Sequence, residues 1–323
     1  MIRVLSEFEL ISRYFTRPTT HTLLGVGDDG AIVRVSPGME LVASTDMLVA
    51  GTHFQPDCDP EALGWKTLAV NISDIAAMGA QPRWALLAAA LPEADEGWIA
   101  AYARGFFECA SAFGVDLIGG DTTRGPMSFC VSIFGEILPG RALLRSGAMP
   151  GDEIWISGAP GRAALGLAHL QGKCALDEAA VGACHAALHR PQPRVALGLS
   201  LWGLASAAID VSDGLLADLG HILEGSGVAA TLHLDRLPSE AMRACPGDVA
   251  LAQRCLLSGG DDYELAFSAP ADRHHATAEL SSALGLNLSC IGSITGKGAG
   301  ELTLLDAEDR PISLPRRGFD HFA

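Results

Sequence analysis

The sequence predicts an α+β protein built from two α/β domains. Three observations carry that expectation. At 323 residues the chain exceeds the usual size of one hydrophobic core. Short apolar runs of strand length alternate with longer runs of helical periodicity. Residues 138–152 break that alternation with Pro139-Gly140 and Pro150-Gly151, which reads as an interdomain boundary. The expected division is an N-terminal domain over residues 1–138, a linker over 139–152 and a C-terminal domain over 153–323.

In the first domain, Leu5, Phe8, Ile11 and Phe15 are spaced as one face of a short helix over residues 5–15. A glycine-flanked turn, Gly25 to Gly30, precedes strand-like Ala31–Val35. The Pro37-Gly38 turn leads to a strand expected over Leu41–Thr45. Asp59 and Pro60 supply an N-cap and an N1 proline for a helix to about Met78, with Gly79 as its C′ residue. Trp84–Ala90 is a continuous apolar strand, 96–113 a helix, Val115–Ile118 a short buried strand and Ser128–Glu136 another. This β-α-β-α-β-β order predicts a mixed sheet with helices on one face.

The second domain opens with a strand over Glu153–Ser157 and a glycine-rich turn, Gly158 to Gly161, at a helix N-terminus, a geometry that can take anions. Helices come next near 178–188 and 194–205, then a strand Ala207–Ile209 ending in Asp210. After it stands a helix from Leu215 to about Leu223, which Asp213 can cap. A strand Val228–Leu234, a helix near 248–257 and a strand entered from Asp261-Asp262-Tyr263-Glu264 complete the core of this half. The aromatic tail Arg316–Phe322 is expected to dock rather than trail.

Composition narrows the function. Nearly half the residues (49%) are apolar and 19% are charged, so a large core is available and compositional disorder is excluded. No apolar run reaches the roughly 18 residues of a membrane span, and charges interrupt the first residues, unlike a secretory signal. The net charge of −16 argues against a nucleic-acid backbone as partner. Solubility accounts for most of that charge, and a metal site for part of it. The eight cysteines have no metal-ligand spacing and read as reduced thiols of a cytoplasmic protein.

Five acidic stretches are candidates for chemistry: Gly27-Asp28-Asp29, Ser44-Thr45-Asp46, Asn71-Ile72-Ser73-Asp74, Gly119-Gly120-Asp121 and Asp210-Val211-Ser212-Asp213. Asn71 and Asp74, three apart on a helix, share a face among apolar neighbours, where a carboxylate needs a partner or a metal. The aspartates at 28, 29, 46, 74, 121, 210 and 213 are expected at loop ends. They offer the hard oxygen donors that Mg2+ takes together with substrate phosphates. Carboxylates so clustered repel each other unless cations intervene, which favours several ions over one. No Walker sequence, dinucleotide fingerprint, zinc cluster or calcium loop competes.

Taken in order, Gly27-Asp28-Asp29, Ser44-Thr45-Asp46, Asn71 to Asp74, Gly119-Gly120-Asp121-Thr122-Thr123-Arg124-Gly125, Arg145-Ser146-Gly147-Ala148, Asp210 to Gly214, Ser258-Gly259-Gly260-Asp261-Asp262-Tyr263-Glu264 and Gly318-Phe319-Asp320-His321-Phe322 resemble the thiamine-monophosphate kinase family. That family belongs to the aminoimidazole-ribonucleotide-synthetase-like superfamily, and the resemblance spans essentially the whole chain. It implies ATP-dependent phosphorylation of thiamine monophosphate by direct in-line transfer. It further implies a homodimer whose N-terminal sheets pair into a barrel. By motif, Asp29, Ser44, Thr45, Asp46, Asp74, Asp121, Asp210 and Asp213 would ligate Mg2+, with Asp46, Asp74, Asp121 and Asp210 central to catalysis. Gly120, Asp121, Arg145 and Ser212 would contact ATP, and His53, Asp261 and Phe319 the thiamine monophosphate. Asp261 stands where the family often has Glu, and Phe319 where Tyr is common. Neither nucleic acid nor membrane is an expected partner.

Two other readings compete. Another ATP-dependent synthetase of the superfamily would share the nucleotide site. A selenophosphate synthetase wants a reactive Cys near the N-terminus, whereas the first here is Cys58. The hydrogenase-maturation relative wants a terminal Cys, whereas this chain ends Asp-His-Phe-Ala. An idle metal- or nucleotide-binding module has no physical need for so many aspartates at loop ends.

Overall fold

The fold is taken from a computed structural model, which describes residues 7–298, 300–313 and 318. The chain forms two compact units, residues 1–75 with 80–140 and residues 76–79 with 141–323. Leu5 and most of the aromatic tail, Phe319 included, lie outside the described residues.

The first unit begins with α1 (Glu7–Leu10), which widens into a π-turn over Ile11–Phe15 and buries Phe15. Then come β1 (Thr22–Leu24), β2 (Ile32–Val33), β3 (Glu40–Val49), α2 (Pro60–Ala77), β4 (Gln81–Leu91), α3 (Glu96–Phe113), β5 (Asp116–Arg124) and β6 (Ser128–Ile137). The four long strands form one sheet in the order β3-β6-β4-β5. Only β4 and β5 run parallel, joined by the α3 crossover that parallel neighbours require.

One face of this sheet is apolar and takes the helices. Phe129, Val131 and Ile133 of β6 project there and are buried. Tyr102 of α3 stacks on Phe129 at 4.6 Å between ring centroids, with Trp98 stacked on Phe129 at 6.1 Å. Each such fully buried side chain contributes about 1.5–3 kcal/mol. Helices α2 and α3 meet backbone to backbone, because a Cβ on Gly105 would stand 1.7 Å from the carbonyl oxygen of Glu61. The alternate residues Cys130, Ser132 and Phe134 face the other way, over a cavity of about 930 Å³ beneath the N-terminal segment.

Two strands run further than the sequence suggests. Ser44, Thr45 and Asp46 do not end β3: ladder pairing with β6 carries it to Val49, with Asp46 opposite Val131. Nor is β3 a buried strand, since Leu41 is 48% and Met47 57% exposed. Likewise β5 continues through Gly119-Gly120-Asp121 to Arg124. The pairing with β4 slips by one residue at Ile118, a β-bulge that re-aims the side chains beyond it. Gly120 has φ 152, and a Cβ there would lie 1.8 Å from the carbonyl oxygen of Leu87. Its close backbone approach is therefore to the neighbouring strand.

The second unit contains β7 (Asp152–Ser157), α4 (Arg162–Leu170), α5 (Glu178–His189), α6 (Val195–Ser200), β8 (Ala207–Val211), α7 (Leu215–Ser226), β9 (Val228–His233), α8 (Glu240–Ala244), α9 (Val249–Ser258), β10 (Glu264–Pro270), α10 (His274–Leu284), β11 (Leu288–Lys297), β12 (Leu302–Leu305) and β13 (Pro311–Ile312). Its seven-stranded sheet has the order β13-β12-β9-β11-β7-β10-β8. Both faces are covered. Ile154, Ile156, Ile209 and Val211 pack with α4, α7, α8 and α9, while Trp155, Leu265 and Phe267 pack with α6 and the α10 side.

Substituting Gly105 by Ala should lower stability by about 1–3 kcal/mol through overpacking of α2 on α3. A urea midpoint equal to the parent's, at unchanged slope, would contradict this close packing.

Candidate active site

In the first unit the candidate residues fall into two groups, one on each face of the sheet. Ser44 and Asp46, two apart on β3, share the helix-side face. Helix α2 meets them there: Ser44 Oγ donates to Asp74 Oδ2 at 2.5 Å, and the backbone N–H of Asp46 donates to Asn71 Oδ1 at 3.0 Å. Asn71 is wholly buried, and its Nδ2 donates to the carbonyl of Thr67. Both ends of the amide are thus used, which fixes its orientation. Strand β3 lies at the sheet edge, so this N–H finds a side chain where a neighbouring strand is lacking.

The second group is on the opposite face. Asp28, Asp29, Gly120 and Asp121 line the 930 Å³ cavity together with Cys130 and Ser132. Thr45 points to this side, its Oγ1 donating to the carbonyl of Val131 at 2.9 Å and accepting from Ser132 Oγ at 3.3 Å. His53 comes after β3 in a tight turn, where its Nδ1 accepts the N–H of Val49 at 3.0 Å.

In the second unit, Asp210 is 5% exposed and sits within β8, not beyond its end. The next residues are gathered by a group that sequence reasoning missed. Asp218 Oδ2 accepts the backbone N–H groups of Ser212, Asp213 and Gly214, each at 3.0 Å. Asp218 thereby does the capping expected of Asp213, reaching back from the first turn of α7. Burial, then the nearby Asp213 carboxylate, push the Asp218 carboxyl up to about 7, against the three N–H groups that favour the anion. The available signal was an aspartate in an otherwise apolar first turn.

The loop 259–263 laces onto the same stretch. The N–H of Asp261 donates to Ser212 O and that of Tyr263 to Val211 O, both at 2.8 Å. Asp261 and Tyr263 hold left-handed conformations, φ 68 and 51, costly for residues with a Cβ. The Tyr263 hydroxyl donates to Asp261 Oδ1 at 3.1 Å. Two neighbours anchor the loop. Glu264, 4% exposed, takes Arg194 through two bonds of 2.6 Å and Ser157 Oγ at 2.6 Å. Asp262 accepts the N–H of Gly161 at 2.6 Å and that of Ala163 at 3.4 Å, and burial pushes its carboxyl well above the usual range.

That contact revises the expectation for Gly158–Gly161: the α4 N-terminus already holds the carboxylate of Asp262, so it is not an open anion site. Gly259-Gly260-Asp261 and Gly119-Gly120-Asp121 share a sequence but not a conformation, since the first is a loop and the second lies within β5. Arg145 is exposed on a segment pinned to α7, where Gly147 and Ala148 donate to Ser226 Oγ. Phe319 lies outside the described residues. Its neighbour Gly318 rests against α7, where a Cβ would be 2.7 Å from both the Asp213 carbonyl oxygen and the Ala217 Cβ.

Two family models match the chain: the N-terminal domain of AIR synthase related proteins over residues 27–137 and the C-terminal domain over 149–305. Thiamine-monophosphate kinase of Salmonella typhimurium is 45% identical over 98% of both chains. The crystal structure of thiamine-monophosphate kinase from Stenotrophomonas maltophilia K279a is also 45% identical, with a TM-score of 0.82 over 91% of this chain and 94% of that one. The solved complex of AaThiL with AMPPCP and TMP is 28% identical, with a TM-score of 0.77 over 98% and 97%.

The Asp218 proton gives a pH signature. Between about pH 4 and pH 7 the folded chain retains a proton that an unfolded aspartate, near 3.9, has released. The contribution of Asp218 to stability therefore falls as pH rises through that window. Asn at 218 keeps an acceptor but carries no such proton. Urea unfolding at pH 5 and pH 8 should show Asp218→Asn gaining on the parent at the higher pH; equal differences at both would refute the assignment.

Proposed function

The chain belongs to the thiamine-monophosphate kinase family, within the AIR synthase related proteins, and from that premise we propose how its residues carry the reaction. The reaction is transfer of the γ-phosphoryl group of ATP to thiamine monophosphate, giving ADP and thiamine diphosphate. Identity of 45% over 98% of both chains carries that reading.

The acceptor is a phosphate oxygen that is already anionic. It attacks the γ-phosphorus in line as the bond to the bridging oxygen of ADP breaks, so no covalent intermediate and no strong general base are needed. The obstacle is charge: two polyanions must approach. The residues that would hold Mg2+ fit it chemically. Ser44, Asp46 and Asp74 are hard oxygen donors, and Asn71 holds the strand that carries them. Asp29, Thr45 and Asp121 from the cavity face, with Asp210 and Asp213 from the second unit, are the further oxygen donors we assign to metal. Bound Mg2+ supplies neutralisation of phosphate charge.

Among the remaining residues, Arg145, Ser212, Gly120 and Asp121 are assigned to ATP. His53, Asp261 and Phe319 are assigned to thiamine monophosphate. The contact of the Asp261 N–H with Ser212 O supports placing their two ligands side by side. A homodimer is proposed as well, supported by the exposed apolar Leu41 and Met47 on the strand at the sheet edge. The working compartment is taken to be the cytoplasm; among the described residues, no helix is long and apolar enough to cross a membrane.

Purified protein with ATP, Mg2+ and thiamine monophosphate should yield equal amounts of ADP and thiamine diphosphate by chromatography. Failure of folded protein to form the diphosphate would sink the reading. Asp46→Asn should cut kcat by about 100-fold or more while the unfolding transition stays near the parent's. A kcat within a few-fold of the parent would remove Asp46 from the metal role.

A further inference from the structure

Three side chains of the second unit that play no part in the proposed reaction bring potential metal-ligand atoms together. Glu153 lies on β7, Cys290 on β11, and His274 is the first residue of α10. One ligand atom from each lies within 4.8 Å of the other two, and among the described residues this is the one such group of three. His274 Nδ1 is 2.8 Å from Glu153 Oε2 and 3.0 Å from Oε1. The ladder brings Cys290 opposite Trp155, two residues along β7 from Glu153, so the carboxylate and the thiol share one face of the sheet. Helix α10 begins over that face, with the His274 ring centroid 5.1 Å from that of Trp155. No sequence spacing reveals the set, because its members lie 121 and 16 residues apart on separate elements.

We propose that Glu153, His274 and Cys290 bind one borderline-soft divalent cation of the zinc class, with water in the fourth position. The donor set decides the class. Thiolate, imidazole and carboxylate are the ligands of Zn2+, whereas Mg2+ takes oxygens alone. The site is therefore chemically distinct from the one assigned to the phosphates. Metal–ligand bonds of about 2.0–2.3 Å at tetrahedral angles set ligand atoms roughly 3.3–3.7 Å apart, so His274 Nδ1 and Glu153 Oε2, now 2.8 Å apart, would open slightly while the sulfur, within 4.8 Å, closes in. A supporting contact is in place: the Trp155 indole donates to Glu153 Oε2 at 3.2 Å and orients the carboxylate. Access is open, since the His274 side chain is 54% exposed.

A cation at this site must displace the thiol proton. Burial, and next the Glu153 carboxylate, push the Cys290 thiol up, so without metal it is protonated at neutral pH. A cation between thiol and carboxylate reverses that repulsion. Binding should release the proton carried by sulfur, and His274 ligates through Nδ1 once that nitrogen carries no proton. The bound ion would tie the start of α10 to β7 and β11 and raise the thermal midpoint.

The test uses the full chain, reduced and stripped of metal, without nucleotide. Zn2+ in competition with a chromophoric chelator should bind one per chain through these ligands, and Co2+ should give thiolate-to-metal charge-transfer absorption. Cys290→Ser should abolish that absorption and weaken Zn2+ binding at least tenfold. His274→Gln should also weaken binding at least tenfold, and the neighbouring His275→Gln should leave it unchanged. Circular dichroism confirms folding of each variant. Absence of the charge-transfer band in the parent, or its survival in Cys290→Ser, overturns the proposal. So does zinc affinity unaffected by His274→Gln, which would leave an ordinary Glu153–His274 ion pair beside a half-buried thiol.

Discussion

The lacing of β3 to α2 is the interaction on which the metal role proposed for the first unit depends. An edge strand has backbone groups with no neighbour, and here one of them is satisfied by Asn71 from a helix. Asn71 can do this only because it is buried and held at both ends. Its surroundings on α2, Leu68, Ala69, Ile72, Ile75 and Ala76, are wholly inaccessible, so the helix cannot roll. The same rigidity places Asp74 one turn further along, against Ser44. A carboxylate on a packed helix and a carboxylate on an edge strand are thus held in one register by an amide and a hydroxyl. In the metal role proposed for these two carboxylates, such rigidity would serve as preorganisation for charge neutralisation.

The acidic excess takes on a second meaning once the hydrogen bonds are known. Asp95, Asp177 and Asp248 cap α3, α5 and α9. Asp59 accepts from the first turn of α2. Asp116, nearly buried, accepts the N–H groups of Thr20 and His21 and the Thr22 hydroxyl, tying the N-terminal segment to β5. Asp218 and Asp262 do the same for α7 and α4. Part of the formal net charge of −16 is therefore structural, with Asp218 and Asp262 pushed by burial toward the neutral form. The N-termini of α2, α3, α4, α5, α7 and α9 are thus taken up by carboxyl groups of the chain itself and are not open to phosphate. This accords with the proposal that cations and side chains such as Arg145 meet the charge of the nucleotide. That is a physical reason, beyond resemblance, for assigning aspartates outside these caps to metal.

Helix α2 was legible because apolar periodicity, an N-cap and a terminal glycine agree at its ends, and in the structure Asp95 and Gly114 serve α3 in the same way. Strands β3 and β5 were read short for a common cause. Ser-Thr-Asp and Gly-Gly-Asp look like strand stops, yet ladder pairing with β6 and β4 carries both through. Local chemistry cannot report that, nor the bulge at Ile118. The split of Ser44 and Asp46 from Thr45 is a consequence of extending β3, since successive side chains must point to opposite faces. Asp218 and Asp262 were missed because a cap reaching back four residues, or across about a hundred, leaves no spacing rule to find.

The loop 259–263 shows how strain and position are linked. Left-handed Asp261 and Tyr263 persist only if their surroundings over-determine them. They do: Ser212 O and Val211 O hold the two N–H groups, Asp262 between them is committed to the α4 N-terminus, and Glu264 is locked by Arg194 and Ser157. Each residue of Asp261-Asp262-Tyr263-Glu264 thus has a fixed partner, and the Asp261 carboxylate is further steadied by the Tyr263 hydroxyl. An aspartate here reaches one methylene less than a glutamate would, but it also has one fewer torsion to freeze. With the backbone already strained into place, reach is set by where the loop stands rather than by side-chain length. The shorter acid is compatible with substrate contact because its position is defined by its neighbours rather than by its own rotamers.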